Sequence, residues 1–122
     1  MKTILLSIPQ RLQLVAFLNG FQGKSYDVLV QVWKLIEKCS IGEDEKKTIG
    51  LRVEGNQVIW DATKAKDSKI EFSSDEEKVF LDEFDAQSKA NKLDVSQYNL
   101  AQVYIKLKDV KKDENGTEIS GL

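Results

Sequence analysis

The chain has 122 residues, 41% apolar and 31% charged, enough for one domain with its own core and no covalent staples. One cysteine and no histidine exclude an intrachain disulfide framework, Ser-His-Asp or Cys-His catalysis, and the common zinc ligand sets. The formal charge of −2 divides into +3 over residues 1–40 and −5 over 41–122, and neither half carries the basic stripe of a nucleic-acid binder.

Met1-Lys2 and Ile4-Leu5-Leu6 have the opening of a secretion signal, but Ser7, Pro9, Gln10 and Arg11 interrupt the apolar run. The favoured reading keeps these residues in the core of a cytoplasmic protein. No run approaches the ~20 apolar residues of a membrane span, so no membrane partner is expected. Pro9 suits the first turn of a helix whose apolar residues are Leu12, Val15, Ala16 and Leu18, with Asn19-Gly20 as its stop. Ser25 is the cap of a second helix running to about Lys38. Its two stripes, Tyr26-Leu29-Trp33-Ile36 and Val28-Val32-Leu35-Cys39, predict a central helix wrapped on several sides. Cys39 falls in line with the second stripe and reads as a small buried hydrophobe. Residues 43–47 place acids before lysines, which suits a short helix ending before Gly50.

Leu51–Trp60 reads as a β-hairpin turning at Gly55-Asn56, with Val53 opposite Val58 and Leu51 opposite Trp60. Its apolar face is expected to close the core against the helix carrying Trp33. Residues 69–72 alternate as a strand and are expected to join the hairpin in a small three-stranded antiparallel sheet. Ser74 with Glu77 reads as a capping box opening a helix to about Ala90, with Phe80, Leu81 and Phe84 inward. Asp94 caps a last helix with stripes Tyr98-Ala101-Ile105 and Leu100-Tyr104-Leu107. The predicted class is α+β: one domain over residues 1–110, with the hairpin or sheet inserted between N- and C-terminal helix pairs. Residues 111–122 form a polar tail expected to be mobile. The element order is close to that of a winged helix, with the hairpin as wing and residues 42–48 at the recognition-helix position.

Gly55-Asn56-Gln57-Val58-Ile59-Trp60, then Lys64-Ala65-Lys66, Lys69-Ile70-Glu71-Phe72 and an acidic helix resemble a group of small uncharacterised proteins encoded by bacteriophages and prophages. The resemblance spans roughly residues 8–107 and implies a phage context in a bacterial host. It brings no catalytic residues.

Two candidate surfaces follow from charge. Arg52, Lys64, Lys66 and Lys69 near the wing are the candidate nucleic-acid contacts, opposed by Glu43, Asp44 and Glu45, whose carboxylates would repel a phosphate backbone. Asp75, Glu76, Asp82, Glu83 and Asp85 form a candidate acidic face for a basic partner. The acids lack the spacing and glycine of a calcium loop, no glycine-rich phosphate loop is present, and no serine sits in a nucleophile setting. No cofactor, metal or catalytic residue is therefore assigned. The function expected is non-enzymatic binding of a macromolecule, a host or phage protein ahead of nucleic acid, in host takeover, defence countering or accessory assembly. The alternatives are a winged-helix DNA-binding regulator and a structural virion component. An exposed patch around Phe17, Phe21, Tyr26 and Ile59 would serve partner binding, against the competing reading that the core covers all four.

Overall fold

A computed structural model describes residues 2–108, 110–112 and 118–120. The chain begins with strand β1 (Lys2–Leu6), then helices α1 (Ile8–Asn19), α2 (Tyr26–Cys39) and the short α3 (Glu43–Ile49). Strands β2 (Arg52–Glu54), β3 (Gln57–Ile59) and β4 (Ser68–Phe72) precede α4 (Ser74–Lys89). A 3₁₀ turn at Val95–Gln97 leads into α5 (Tyr98–Lys108), followed by β5 (Val110–Lys112) and β6 (Glu118–Ser120). The class is α+β, as the alternation of helical and strand-like patterns predicts.

The helix boundaries follow from local chemistry. Ser7 accepts from the Gln10 N–H while the Gln10 side chain accepts from the Ser7 N–H, and Pro9 occupies the first turn of α1. Ser25 caps α2, and Gly50, at φ 66°, terminates α3 in the left-handed region. The capping box of α4 lies one residue earlier than predicted. Ser73 is the cap and Glu76 its reciprocal partner, because Glu76 then turns inward and Phe80 and Phe84 follow it on one face.

Sheet pairing departs from expectation. The hairpin β2–β3 forms in the predicted register, Val53 opposite Val58, and turns at Gly55 with φ 62°. It remains two-stranded. Strand β4 pairs instead with β1, antiparallel, with Ile4 opposite Ile70 and Lys2 opposite Phe72. The reason lies in period-2 geometry. Ile4, Leu6, Ile70 and Phe72 all project to the same buried face, whereas the hairpin offers only short strands whose side chains stay largely in water. Strand β1 is the element that the sequence pattern did not reveal, since Leu5 masks the alternation.

The core is assembled from Ile4 and Leu6 of β1, Leu14 and Leu18 of α1, Val32, Leu35 and Cys39 of α2, Ile70 and Phe72 of β4, Phe80 and Phe84 of α4, and Leu100, Val103 and Leu107 of α5. Aromatic rings run through it in sequence: Phe21 on Phe17 and Phe17 on Phe80 edge to face, then Phe80 by Phe84 and Phe84 stacked on Tyr104 at 4.5 Å. Gln13 ties α1 to the entry of α5 by donating to the Ser96 carbonyl and accepting from the Leu100 N–H. Strands β5 and β6 pair antiparallel, so residues 111–112 and 118–120 of the expected tail lie in a ladder. The rest of that tail is outside the described residues.

Two further expectations are corrected by burial. Trp33 is not against the hairpin in the core; it is 54% exposed on α2, which buries Val32, Leu35 and Cys39 fully, Val28 and Ile36 in part, and leaves Tyr26 and Trp33 outside. The hairpin likewise leaves Val53 71% and Val58 44% exposed. It projects from the body instead of closing the core. Replacing Val53 and Val58 together by Thr is therefore expected to change the unfolding free energy by no more than about 0.5 kcal/mol in urea titrations.

Candidate functional site

The buried polar groups define what is fixed and what is free at the surface. Arg11, 4% exposed, is held between α1, α2, α3 and β4. Its Nε donates to the Cys39 carbonyl at 3.0 Å and Nη2 to the Ser40 carbonyl at 2.9 Å, satisfying acceptors at the end of α2. Nη1 and Nη2 form a two-pronged pair with the Glu45 carboxylate at 2.7 and 3.1 Å, and Nη1 also reaches Ser68 Oγ. The planar guanidinium thus places its whole donor fork. The positive end of this fork sits where the α2 dipole is negative, which favours it further.

Glu76 is the second buried charge, 1% exposed. Its Oε1 accepts from Lys38 Nζ at 2.6 Å and from the Ser73 N–H at 2.8 Å, while Oε2 is buried with no hydrogen-bond partner. Burial alone would raise this carboxyl, but the hydrogen bonds from Lys38 and Ser73 outweigh it and hold it below its ordinary value of 4.5. A depressed folded value contributes stability that is complete above the unfolded value and disappears as pH falls through the folded one. The stability difference between the wild type and Glu76→Gln is accordingly expected to shrink as urea midpoints are measured from pH 7 down to pH 3.5. A constant difference would mean that the Glu76 charge contributes nothing. Nearby, burial pushes the Cys39 thiol up to about 11, with Glu76 adding to the rise and Arg11 and Lys38 opposing it. The thiol is therefore kept protonated, a poor nucleophile.

These pairings reshape the acidic face. Glu76 is not on it; it belongs to the interior. Glu83 is ion-paired to Lys24 at 2.8 Å, and that hydrogen bond lowers its pKa. Asp85 accepts from the Tyr104 hydroxyl at 2.7 Å. Glu77, the remaining acid of the first turn, is paired to Lys2, which also donates to the Leu107 carbonyl. Of the predicted set, Asp75 and Asp82 stay at the surface, where they line a groove between α2 and α4.

The predicted basic set is scattered over separate elements. Arg52, on the hairpin, donates from Nε to Glu54 two residues on, at 2.6 Å. Lys64 and Lys66 lie in the connection before β4 and line a shallow cavity with Glu45, Thr48 and Ile49. Lys69 is on the outward face of β4, opposite Leu5. Helix α3, which the winged-helix reading put in the place of a recognition helix, presents its three acids in the first turn.

Sequence reasoning offered Tyr26 as a candidate exposed residue but placed Trp33 in the core, and so missed that the two form an aromatic pair on the outer face of α2. Tyr26, 70% exposed, and Trp33 sit two turns apart with ring centroids 6.2 Å apart, edge to face. The signal was present in the width of the two stripes of α2: they need cover on several sides, and the neighbours of α2 leave Tyr26 and Trp33 of the first stripe without it. Phe17 and Phe21, by contrast, pack onto the core, as the competing reading had it. Among the described residues, no three carboxylates or thiols gather to hold a metal ion, and no helix is long and apolar enough to cross a membrane.

Compared with models of protein families, with curated proteins and with solved structures, the chain matches none.

Proposed function

We propose that the chain is a small non-enzymatic binding protein that docks another protein through the outer face of α2, in the cytoplasm of a phage-infected bacterium. The observation that carries this reading is the exposed Tyr26–Trp33 pair. Two large aromatic rings left in water contribute little to folding, whereas Trp and Tyr dominate the energetics of protein interfaces. The exposed Val53 and Val58 on the projecting hairpin add apolar surface of the same kind. The phage context rests on the resemblance of residues 55–72 and the helix after them. A role in host takeover, defence countering or accessory assembly would be compatible with such a binder.

The test is affinity capture from infected host cells with the wild type and with Tyr26→Ala/Trp33→Ala, each with and without nuclease. A protein retained by the wild type, lost with the double variant and indifferent to nuclease is the expected result. A regulator acting on duplex DNA is the second reading, supported by the projecting hairpin with Lys64 and Lys66 in the connection that follows it. Retention on duplex DNA that falls steeply with salt and is abolished by replacing Arg52, Lys64, Lys66 and Lys69 with Ala would establish it in place of the first. Defined large oligomers in light scattering would instead point to a virion component.

A further inference from the structure

A second surface, separate from the aromatic pair, lies where α2 and α4 diverge. Two adjoining cavities of about 190 and 320 Å³ share Val28, Val79 and Asp82, so they form one groove. Its floor is apolar, built from Phe21, Val28 and Val79, with Ala86 at one end and Asp75 at the other. From Asp75 to Ala86 along α4 the groove is about 16 Å long at the helical rise per residue. That matches about three turns of a second helix.

The rim has one sign. Lys24 and Glu83 neutralise each other at 2.8 Å. Asp27, Asp75 and Asp82 make no ion pair among the described residues, and Lys78 is the single remaining cation along the groove. Three carboxylates against one ammonium surround an apolar floor.

We propose that this groove takes a cationic amphipathic helix of a partner protein, its apolar residues on Val28 and Val79 and its lysines or arginines against Asp27, Asp75 and Asp82. The argument is complementarity of shape and sign. An apolar floor selects a helix with an apolar stripe, and the acidic rim selects the version of that helix flanked by basic residues. A neutral or acidic helix of the same stripe would meet repulsion or unpaired carboxylates. This inference goes beyond the aromatic face and stands independently of it.

The test uses a fluorescein-labelled 14-residue peptide with leucines at helical spacing and lysines elsewhere, followed by fluorescence anisotropy at low salt. Binding is expected, and about ten-fold weaker binding to Asp27→Asn/Asp75→Asn/Asp82→Asn, which should keep a cooperative thermal transition, its midpoint lowered by only a few degrees through loss of the first-turn acids Asp27 of α2 and Asp75 of α4. A twin peptide with serine in place of leucine should lose binding to the same degree or more. Trp33→Ala should leave the affinity unchanged. Equal binding of the triple variant, or equal binding of the serine twin, would overturn the groove. Loss of binding with Trp33→Ala would also overturn it and move the contact to the aromatic face. Failure of the peptide to bind the groove leaves the capture result for Tyr26 and Trp33 intact, so the two readings fail separately.

Discussion

Replacing Ile4 and Leu6 together by alanine is expected to leave the protein unfolded or molten at 25 °C. Both side chains are fully buried in the face that β1 shares with β4, and both join the central cluster. A buried Leu or Ile reduced to Ala costs about 2–5 kcal/mol in lost transfer energy and residual cavity. Two such losses at successive inward positions of one strand reach the ~5–15 kcal/mol that stabilises a domain of this kind. Coupling between neighbours makes the sum inexact, but its size is what decides. Near-ultraviolet circular dichroism and amide dispersion should collapse, while Thr3→Ala and Leu5→Ala, on the outward face, should retain a cooperative transition. A cooperative transition in the double alanine variant within about 2 kcal/mol of the wild type would mean that β1 is not part of the core.

That strand also marks where sequence reasoning stopped. The helices were legible from local signals: Pro9 and Asn19-Gly20 for α1, the Ser25 cap and apolar stripes for α2, the acidic start and Gly50 for α3; the cap at Ser7 was passed over as a break in the apolar run. The hairpin was legible because a two-residue turn fixes its own register. The partner of β4 was not, because strand pairing at long range leaves no local signature. Lys69-Ile70-Glu71-Phe72 announces a buried face without naming the strand that completes it, and the nearest strands in sequence drew the assignment to themselves. The exposure of Trp33 was hidden for a related reason. Periodicity ranks the faces of a helix but does not count its neighbours: α1, α4 and β4 cover Val32, Leu35 and Cys39 fully and Val28 and Ile36 in part, and none of them reaches over Trp33. Glu76 was counted with the acidic face because composition sees its charge; its burial follows from the cap at Ser73 and the reach of Lys38.

Arg11→Met is expected to lower the unfolding free energy by about 2–4 kcal/mol, chiefly by leaving the carbonyls at the end of α2 without donors. The methionine fills much of the same volume, so the loss reads the polar network and not a void. Without the guanidinium, the Cys39 and Ser40 carbonyls at the end of α2 lose their donors, and Glu45 loses the cation that fixes α3. Buried acceptors without donors carry their full desolvation cost. Arg11→Lys should recover only part of the stability, since an ammonium carries the charge but not the planar fork that reaches several acceptors at once. Glu45→Gln should cost less, about 1–2 kcal/mol, because the amide oxygen still accepts from the buried Arg11 fork and the side chain is itself one-third exposed. The ordering Met worst, Lys intermediate, Gln mildest is measured by urea midpoints at constant slope. An Arg11→Met variant as stable as Glu45→Gln would show that the α2 terminus does not depend on this side chain.

The fold therefore spends its buried charges on holding α2, α3, α4 and β4 in place, and leaves the Tyr26–Trp33 pair outside. That division is the core of the functional proposal. Its most direct measurement is the dissociation constant of the captured partner for wild type and for Tyr26→Ala/Trp33→Ala, by calorimetry, with thermal unfolding recorded for both proteins. The expected result is affinity at least about 30-fold weaker, corresponding to ~2 kcal/mol or more at a central aromatic contact, with the unfolding midpoint unchanged. Equal dissociation constants for the two proteins would contradict it.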